Sequence, residues 1–544
     1  MNSSSGSLGV IENLVDVWLT EASERSYETA FGQLLVIEGH RVIQGPMHHA
    51  HEHGKDIIAL DSEGNLCAYQ LKGGRKGKLD KSAVEEAQNQ LFTAAATAVL
   101  HPSLPTPRPP DRVYLVTNQH STGPAQGQIH ALSAGNRHRG LAPLQLIERA
   151  ELASRFVAAE GRFFPSSPQA LNTFLSLFLA DGRGELPRRD FFRLLQEIIP
   201  VSGSRPKAAV AGRAISAAAL TTAFALRKWA DADNHAEIAM GWICYATQVL
   251  RAAERYRLGR SHWERPYRLA LEETRRHARH LLNEASAADD LTIPDPAEPF
   301  VYAARVVKVC GLVSAWSVSQ RIEFGVHRAD RGAAGRLVLR ELDYFQVVGE
   351  IQAPDYFLSL LAVSEAGNYR LATSMLFRWL NGVAAANQRD STTPIPHPYH
   401  AVEDVLHGHL SLEGAIFADE DFAGSAYTVH IGVRWAARRL WRQALNASWG
   451  NVSRISHYSF EPSGPTDYLT PKSSSGKLTS WFYPSPTSWS TLRSNAEHSD
   501  FSVLPRALRR CPEFVPFYCL SMPHRFNSIV SDLLDHLAYG GQVS

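Results

Sequence analysis

The spacing of apolar residues changes several times within the first 160 or so positions. Phe31, Leu34 and Leu35 fall on one face of a helix that we expect to begin near Ser26, and Gly39 follows where helices commonly end. Short apolar runs between polar segments predict strands. In chain order, the pattern predicts a helix to about 38, strands at 41–43, 57–60 and 66–71, a helix at 81–99, a strand at 113–116, a helix at 126–133, a strand at 144–147 and a helix at 151–159.

Beyond Pro165 the pattern becomes that of long helices. Ile238, Trp242, Tyr245 and Val249 recur at intervals of three and four residues, which places them on one face of a helix. We therefore expect an α/β N-terminal domain, with a mixed sheet flanked by helices, followed by a mostly α-helical C-terminal region. The expected domains are 1–163 for the α/β part, 164–445 for a helical sensor or scaffold, and 446–544 for an irregular or strand-bearing Ser/Pro/aromatic-rich segment with a C-terminal helix.

The composition is that of a globular protein. Of the 544 residues, 44% are hydrophobic and 20% are charged, and the net charge of +1 gives no bulk attraction to nucleic acid. The five cysteines are scattered without zinc-site spacing, which fits a reducing cytoplasm. Because no signal peptide is evident and no apolar stretch approaches about eighteen uncharged residues, we expect a soluble cytoplasmic protein without a membrane partner.

The most informative segment is a predicted two-stranded ribbon. The residues at 61–65, Asp-Ser-Glu-Gly-Asn, are hairpin-loop types, so Leu60 should face Leu66. Paired positions in an antiparallel ladder then sum to 126, which places Asp56 opposite Gln70. The sequence therefore predicts a carboxylate and an amide side by side at the end of the ribbon.

Lys72 is two residues beyond Gln70 and points to the same face of the strand. Mg²⁺ or Mn²⁺ takes oxygen ligands, which Asp56, the Gln70 side-chain carbonyl and the Leu71 backbone carbonyl can supply. Lys72 can orient an attacking water or stabilise charge that develops on phosphorus. Glu28, on the first helix, is a candidate additional catalytic residue and metal ligand. These groups are the ones that metal-dependent phosphodiester hydrolysis needs.

The N-terminal segment resembles the PD-(D/E)XK nuclease superfamily, and specifically its Mrr-like restriction endonuclease branch. The similarity covers about residues 10–160 and includes Glu28 with Gly39-His-Arg-Val42, Gly54-Lys-Asp56, Gln70-Leu-Lys72, Gln88 and Gln90, Tyr114-Leu-Val-Thr-Asn118, and Leu146-Ile-Glu-Arg-Ala-Glu-Leu152. It implies a restriction-endonuclease-like fold and a Mg²⁺- or Mn²⁺-dependent centre at Asp56, Gln70 and Lys72. It further implies a DNA endonuclease that is the effector of a prokaryotic anti-phage or restriction system. Double-stranded DNA is then the expected substrate, with a homo-oligomer or a partner subunit.

One departure from the family pattern leaves alternatives open. Gln70 replaces the commoner glutamate, which removes one negative ligand and should weaken metal binding. The domain is alternatively a non-cleaving nucleic-acid-binding or scaffold module with a degenerate nuclease fold. A nuclease of the same fold that cleaves RNA is the third hypothesis.

A basic run leaves the predicted catalytic strand directly. Arg75, Lys76, Lys78 and Lys81 follow Lys72 and are candidates for contacting phosphates without reading base sequence. A solvated basic loop is the alternative interpretation. The four histidines between 48 and 53 are best interpreted as a flexible polar loop, with a transition-metal site or a substrate contact as the alternative.

Overall fold

The structure is a computed structural model. It describes residues 15–16, 18–20, 22, 24–44, 55–73, 77–101, 104–159, 167–199, 205–289, 291, 299–325, 331–391, 394–400, 423–471, 477–484, 486–497 and 499–539. The histidines between 48 and 53, together with Gly54, Arg75 and Lys76, lie outside the described residues.

The chain divides into two compact units. The first comprises Met1–Ala232 and Gly259–Leu269, and the second comprises Asp233–Leu258 and Ala270–Ser544. These boundaries differ from the expected divisions after 163 and 445. The first unit extends further because Phe224 packs against Trp18 and Phe156, with ring centroids 4.4 and 6.2 Å apart.

The first unit contains helices on both sides of a five-stranded sheet, and the second is mostly helical. In the first unit the helices are α1 (Glu24–Ile37), α2 (Lys81–Ala96), α3 (Gly123–His138), α4 (Arg149–Ala158), α5 (Pro168–Phe178), α6 (Arg188–Ile198), α7 (Ala208–Ala225) and α8 (Arg227–Asp231), and the strands are β1 (Arg41–Gln44), β2 (Ile57–Leu60), β3 (Leu66–Lys72), β4 (Lys78–Leu79), β5 (Arg112–Thr117), β6 (His120–Ser121) and β7 (Leu144–Ile147). In the second unit the helices are α9 (His235–Tyr256), α10 (Glu264–Ala287, from Ala270 onward), α11 (Pro299–Phe324), α12 (Arg331–Arg340), α13 (Ala353–Glu365), α14 (Tyr369–Ala386), α15 (Val429–Arg438), α16 (Arg442–Val452), α17 (Trp489–Glu497), α18 (Arg506–Arg509), α19 (Val515–Ser521) and α20 (Ser528–Ala538), and the strands are β8 (Ser425–Ala426), β9 (Ser456–Glu461) and β10 (Lys477–Trp481).

The five-stranded sheet has the order β1-β2-β3-β5-β7. The strands β1, β2 and β3 pair antiparallel, whereas β3, β5 and β7 run parallel. This arrangement confirms the predicted mixed sheet flanked by helices, in the predicted order of elements. The first helix begins at Glu24, two residues before the expected start at Ser26.

Helices cover both faces of the sheet. On one face, Phe31 of α1 packs edge-on against Tyr69 of β3, with ring centroids 5.4 Å apart. On the other face, Ala68 joins a buried cluster that includes Val84 of α2 and Ile129 of α3. Because successive side chains of a strand point to opposite faces, Gln70 and Lys72 lie on the face of Ala68.

The second unit confirms the predicted mostly helical C-terminal region. The predicted apolar face of α9 is buried, including Ile238, Trp242, Tyr245 and Val249. The segment expected to be irregular or strand-bearing contains an antiparallel pair, in which Lys477 of β10 lies opposite Glu461 of β9. This segment also contains α17 and part of α16. It belongs to the second compact unit, together with the helices that precede it.

Two helical segments, Ala208–Ala225 and Val301–Phe324, are long and apolar enough by composition to cross a membrane. In the most apolar 18-residue window of each segment, 61% and 78% of the residues respectively are buried inside the protein, as in core helices. All five cysteines are free thiols and buried.

Candidate active site

A tight hairpin sets the register of the ribbon that carries the candidate site. The Asp61 carboxylate accepts hydrogen bonds from the backbone N–H groups of Glu63 and Asn65, at 3.0 and 2.9 Å. Gly64 has a φ of +85°, a left-handed conformation that glycine adopts without strain. The closed loop pairs Leu60 with Leu66, as predicted. A slip of one residue would turn every side chain of the strand to the other face.

Asp56 and Gln70 meet at the end of this ribbon. Asp56 Oδ2 accepts a hydrogen bond from Gln70 Nε2 at 2.7 Å and a second from the Leu71 backbone N–H at 2.6 Å. The Asp56 backbone N–H donates to the Tyr69 carbonyl at 3.0 Å, which extends the ladder one residue beyond β2. The structure therefore brings Asp56, Gln70 and Leu71 into direct contact.

The other amide atom of Gln70 is left without a partner. Gln70 is 4% exposed, and its Oε1 accepts no hydrogen bond from the described residues. Leaving a buried acceptor unsatisfied costs about 1–3 kcal/mol. A bound cation is one physical reason for a protein to retain such an oxygen beside a carboxylate.

The backbone that follows Gln70 is held by the first helix. The Tyr27 hydroxyl lies 2.9 Å from the Lys72 carbonyl and 3.0 Å from the Val116 carbonyl, so one donor bridges the ends of β3 and β5. A Cβ atom on Gly73 would collide with Asn118 Oδ1 and the Tyr27 ring, so the chain can leave β3 here only as glycine. These contacts hold the backbone at Lys72 in place, and no local pattern in the sequence indicates the role of Tyr27.

Lys72 itself is half-buried. Strand alternation places its side chain on the same face as Gln70, two residues further along β3. The predicted trio of Asp56, Gln70 and Lys72 therefore shares one face at the carboxyl end of β3.

Glu28 follows Tyr27, whose hydroxyl contacts the Lys72 carbonyl. It is 6% exposed and belongs to α1, the helix that packs on the Tyr69 face, which is the face opposite to Gln70. Among the described residues, no group of three or more His, Cys, Asp or Glu side chains is placed to hold a metal ion. The role of Glu28 as an additional ligand stays a prediction.

Lys55 is a buried cation that the sequence analysis did not single out. It is 2% exposed and immediately precedes Asp56. Burial lowers the pKa of its ammonium group from the usual 10.5 to about 8. No carboxylate of the described residues forms an ion pair with it, and the position beside Asp56 was the signal available in the sequence.

Part of the basic run is anchored at the same end of the sheet. Lys78 lies on the short strand β4, which pairs in parallel with β6, three residues after the end of β5. The backbone N–H of Thr122 donates to the Leu79 carbonyl at 3.0 Å and holds this pairing. Lys78 is exposed, and Lys81 is 56% exposed and forms a surface ion pair with Glu85 at 3.4 Å. Both lysines can reach a ligand in solvent.

Asp56, Gln70 and Leu71 carry oxygen atoms of the kind that a hard divalent cation takes as ligands, but Gln70 Nε2 faces both the Asp56 carboxylate and the Leu71 carbonyl, so the Gln70 amide must turn over for Oε1 to join them. The oxygen atoms available as metal ligands are those of Asp56, Gln70 Oε1 and the Leu71 carbonyl. Of these, Gln70 Oε1 is buried and accepts no hydrogen bond from the described residues. Mg²⁺ is commonly held by one or two carboxylates, with waters and substrate phosphates completing its coordination. A single carboxylate and neutral oxygens would bind such an ion weakly in the absence of substrate.

The chain matches no family model, and no curated protein or solved structure matches it. The resemblance to Mrr-like nucleases therefore stays a prediction from the residues of the ribbon and from the order of elements around it.

Proposed function

We propose that the first unit is a metal-dependent endonuclease with a restriction-endonuclease-like fold, and that it cleaves double-stranded DNA. The observation that carries the proposal is the contact of Asp56 with Gln70, 2.7 Å apart, beside a buried Gln70 Oε1 that has no partner. A polar group of this kind is retained at a cost in stability, which a role in ligand binding explains.

The proposal gives each residue of the ribbon a separate task. Asp56, the Leu71 carbonyl and, with its amide turned over, Gln70 Oε1 would hold Mg²⁺ or Mn²⁺. When bound, the ion supplies Lewis-acid polarisation of the phosphoryl oxygen and lowers the pKa of a coordinated water. Lys72 places its ammonium group against the scissile phosphate and offsets the negative charge that accumulates there.

In this proposal, the basic residues that follow Lys72 contact the phosphates of the DNA substrate. Lys78 and Lys81 are exposed at the carboxyl end of β3 and β5, the end at which Lys72 stands. Arg75 and Lys76 lie between Lys72 and Lys78 in the chain. Such residues neutralise backbone phosphates, so they give affinity that falls with salt and little choice of base sequence.

The biological setting follows from the same resemblance. We propose a cytoplasmic effector of a prokaryotic anti-phage or restriction system, in which the helical unit senses a signal or assembles copies. Two cuts in a duplex need two active sites, so a homo-oligomer or a partner subunit is part of this proposal.

Plasmid cleavage by the purified full chain tests the proposal. The parent is expected to cut in Mg²⁺ or Mn²⁺ and to stop in EDTA, and Asp56→Ala and Lys72→Ala are each expected to lose at least about a hundredfold in rate. The matched controls are Glu63→Ala, 73% exposed on the same hairpin, and Lys477→Ala, 72% exposed in the second unit, and both should cut like the parent.

The same assay separates the competing functions. Equal cleavage by the parent, Asp56→Ala and Lys72→Ala would show that the assigned site is wrong. Metal-independent binding without cleavage in either ion would favour a non-cleaving nucleic-acid-binding or scaffold protein. Cleavage of a transcript with the plasmid left intact would move the substrate to RNA.

A further inference from the structure

A cleft of about 400 Å³ lies in the second unit among α10, α11 and α12. From α10 it takes Arg279, Leu282, Asn283 and Ser286. Their spacing of three, one and three residues places them on one face of the helix. Trp316 of α11 also lines the cleft and is 6% exposed.

The opposite wall of the cleft repeats this spacing. From α12 it takes Ala333, Arg336, Leu337 and Arg340. Each of the two helices therefore turns one face toward the cleft, and each face carries at least one arginine and one leucine. The lining of the cleft is therefore basic and partly apolar.

The charge of the cleft is one-sided. None of the described residues that line it is acidic, and three are arginines. Arg340 is already engaged, since its guanidinium donates to the carbonyls of Ala285 and Ala288 at 2.9 and 2.8 Å and to Glu341 at 2.6 Å. Arg279 and Arg336 are exposed, and neither forms an ion pair within the described part of the chain.

Two unpaired guanidinium groups facing one cleft favour an anion with several oxygens. The planar guanidinium matches phosphate with paired hydrogen bonds, and Asn283 and Ser286 add neutral donors on the same wall. Trp316, with Leu282 and Leu337, offers an apolar contact for a planar ring. A volume of 400 Å³ lies within the range of about 300–1,000 Å³ for small-molecule pockets and is too small for a nucleic-acid duplex.

We propose that this cleft binds a nucleoside phosphate, with its phosphates on Arg279 and Arg336 and its base against Trp316. The site lies wholly in the second unit and shares no residue with the ribbon of the first unit. It is therefore independent of the nuclease proposal, and either can fail without the other.

Calorimetric titration of the full chain tests the cleft, with EDTA present so that no divalent ion takes part. The probes are ATP, GTP, CTP and UTP, with inorganic tripolyphosphate and adenosine as the separated halves of the ligand. At least one nucleotide is expected to bind with a Kd below about 1 mM, and more tightly than tripolyphosphate by about tenfold or more.

Variants assign the binding to the cleft. Arg279→Gln with Arg336→Gln is expected to weaken the nucleotide by about a hundredfold, since each charged contact contributes about tenfold. Arg370→Gln with Arg454→Gln removes the same charge at two exposed positions of the same unit and should leave binding unchanged. Trp316→Leu should weaken the nucleotides and leave tripolyphosphate unaffected.

Three results would overturn the proposal. They are no binding of any of the four nucleotides by the parent, tripolyphosphate binding as tightly as the best nucleotide, and equal loss in the two double-arginine variants. Because the exposed arginines can be replaced without opening the core, the arginine comparison stands even if Trp316→Leu fails to fold.

Discussion

Each unit holds a hydrogen-bonded carboxylate, the partly buried Asp56 in the first and the fully buried Glu350 in the second, and the surroundings of the two carboxylates differ. In the first unit, Asp56 accepts hydrogen bonds from Gln70 and Leu71, and the Gln70 Oε1 next to it has no partner. In the second unit, Glu350 is 0% exposed, and its oxygens accept from the backbone N–H groups of Tyr427 and Thr428, at 2.8 and 2.5 Å, and from the Thr428 hydroxyl at 2.6 Å.

The difference separates a structural carboxylate from a candidate functional one. Tyr427 and Thr428 immediately precede α15, so Glu350 satisfies orphan N–H groups at a helix start and faces the positive end of its dipole. The hydrogen bonds that Tyr427 and Thr428 donate to Glu350 therefore stabilise the fold. The Asp56 site keeps a buried oxygen that the fold does not satisfy, which is expected where a ligand completes the set.

The largest effect should come from removing the charge of Asp56. Asp56→Asn keeps the shape and an acceptor for the Leu71 N–H, so we expect the free energy of unfolding to change by less than about 1 kcal/mol. Loss of the carboxylate ligand should lower plasmid cleavage by about a thousandfold, or about 4 kcal/mol of barrier. Cleavage rates and urea unfolding are measured on the same preparation, and a large loss of stability with full activity would reverse the comparison.

Glu350→Gln should give the opposite pattern. An amide places an NH₂ group against backbone donors in a fully buried site, so we expect a loss of about 2–3 kcal/mol in the free energy of unfolding. Burial raises the pKa of Glu350 to about 7, against the effect of its hydrogen bonds, so unfolding is measured at pH 8, where the carboxyl is charged. Cleavage per folded molecule should not change, and Glu461→Gln, 54% exposed, is the control.

The two carboxylates also differ in how far the sequence reveals them. Asp56 was placed opposite Gln70 because the hairpin is local: five loop residues fix the register, and strand alternation then assigns each face. Glu350 contacts Tyr427, 77 positions along the chain, and no local pattern joins them. Local geometry can be derived from sequence, whereas contacts made by packing of distant helices cannot.

The same reasoning explains the incomplete prediction of the site. Glu28 falls on the expected helix, but the rotation of that helix depends on how Phe31 seats against Tyr69, which only packing decides. Tyr27 supports the end of β3 for the same reason, across 45 positions of the chain. The extent of the first unit was missed because Phe224 joins its core from beyond the expected boundary.

Gln70→Glu sharpens the comparison by supplying a second carboxylate. In EDTA the variant should have a lower Tm than the parent, because an oxygen replaces the Nε2 that donates to Asp56. Mg²⁺ or Mn²⁺ should restore the Tm, and the ion concentration for half-maximal effect should fall about tenfold, or about 1.4 kcal/mol. The metal-dependent Tm is read without any substrate. If neither protein responds to the ion, the oxygens of Gln70 and Asp56 do not form a metal site.

A further predicted effect concerns Lys55, a buried cation that forms no ion pair with a carboxylate of the described residues. Burial lowers its pKa from 10.5 to about 8, so the folded protein binds fewer protons than the unfolded chain between those two values. The free energy of unfolding should therefore rise with pH across that window, and the penalty for burying the charge is fully present below pH 8. We expect a rise of at least about 1 kcal/mol, since one pKa unit corresponds to about 1.4 kcal/mol.

Lys55→Met should abolish this rise and stabilise the protein at pH 7, whereas Lys78→Met, at an exposed position, should keep the parent's pH profile. Urea unfolding of the three proteins between pH 7 and pH 10 measures the difference, and other titrating groups cancel because all three share them. Identical profiles would mean that Lys55 is solvated or paired. The predicted profile would instead support a buried cation without an ion-pair partner one residue before Asp56. Glu350, by contrast, accepts hydrogen bonds from Tyr427 and Thr428 on its two carboxylate oxygens.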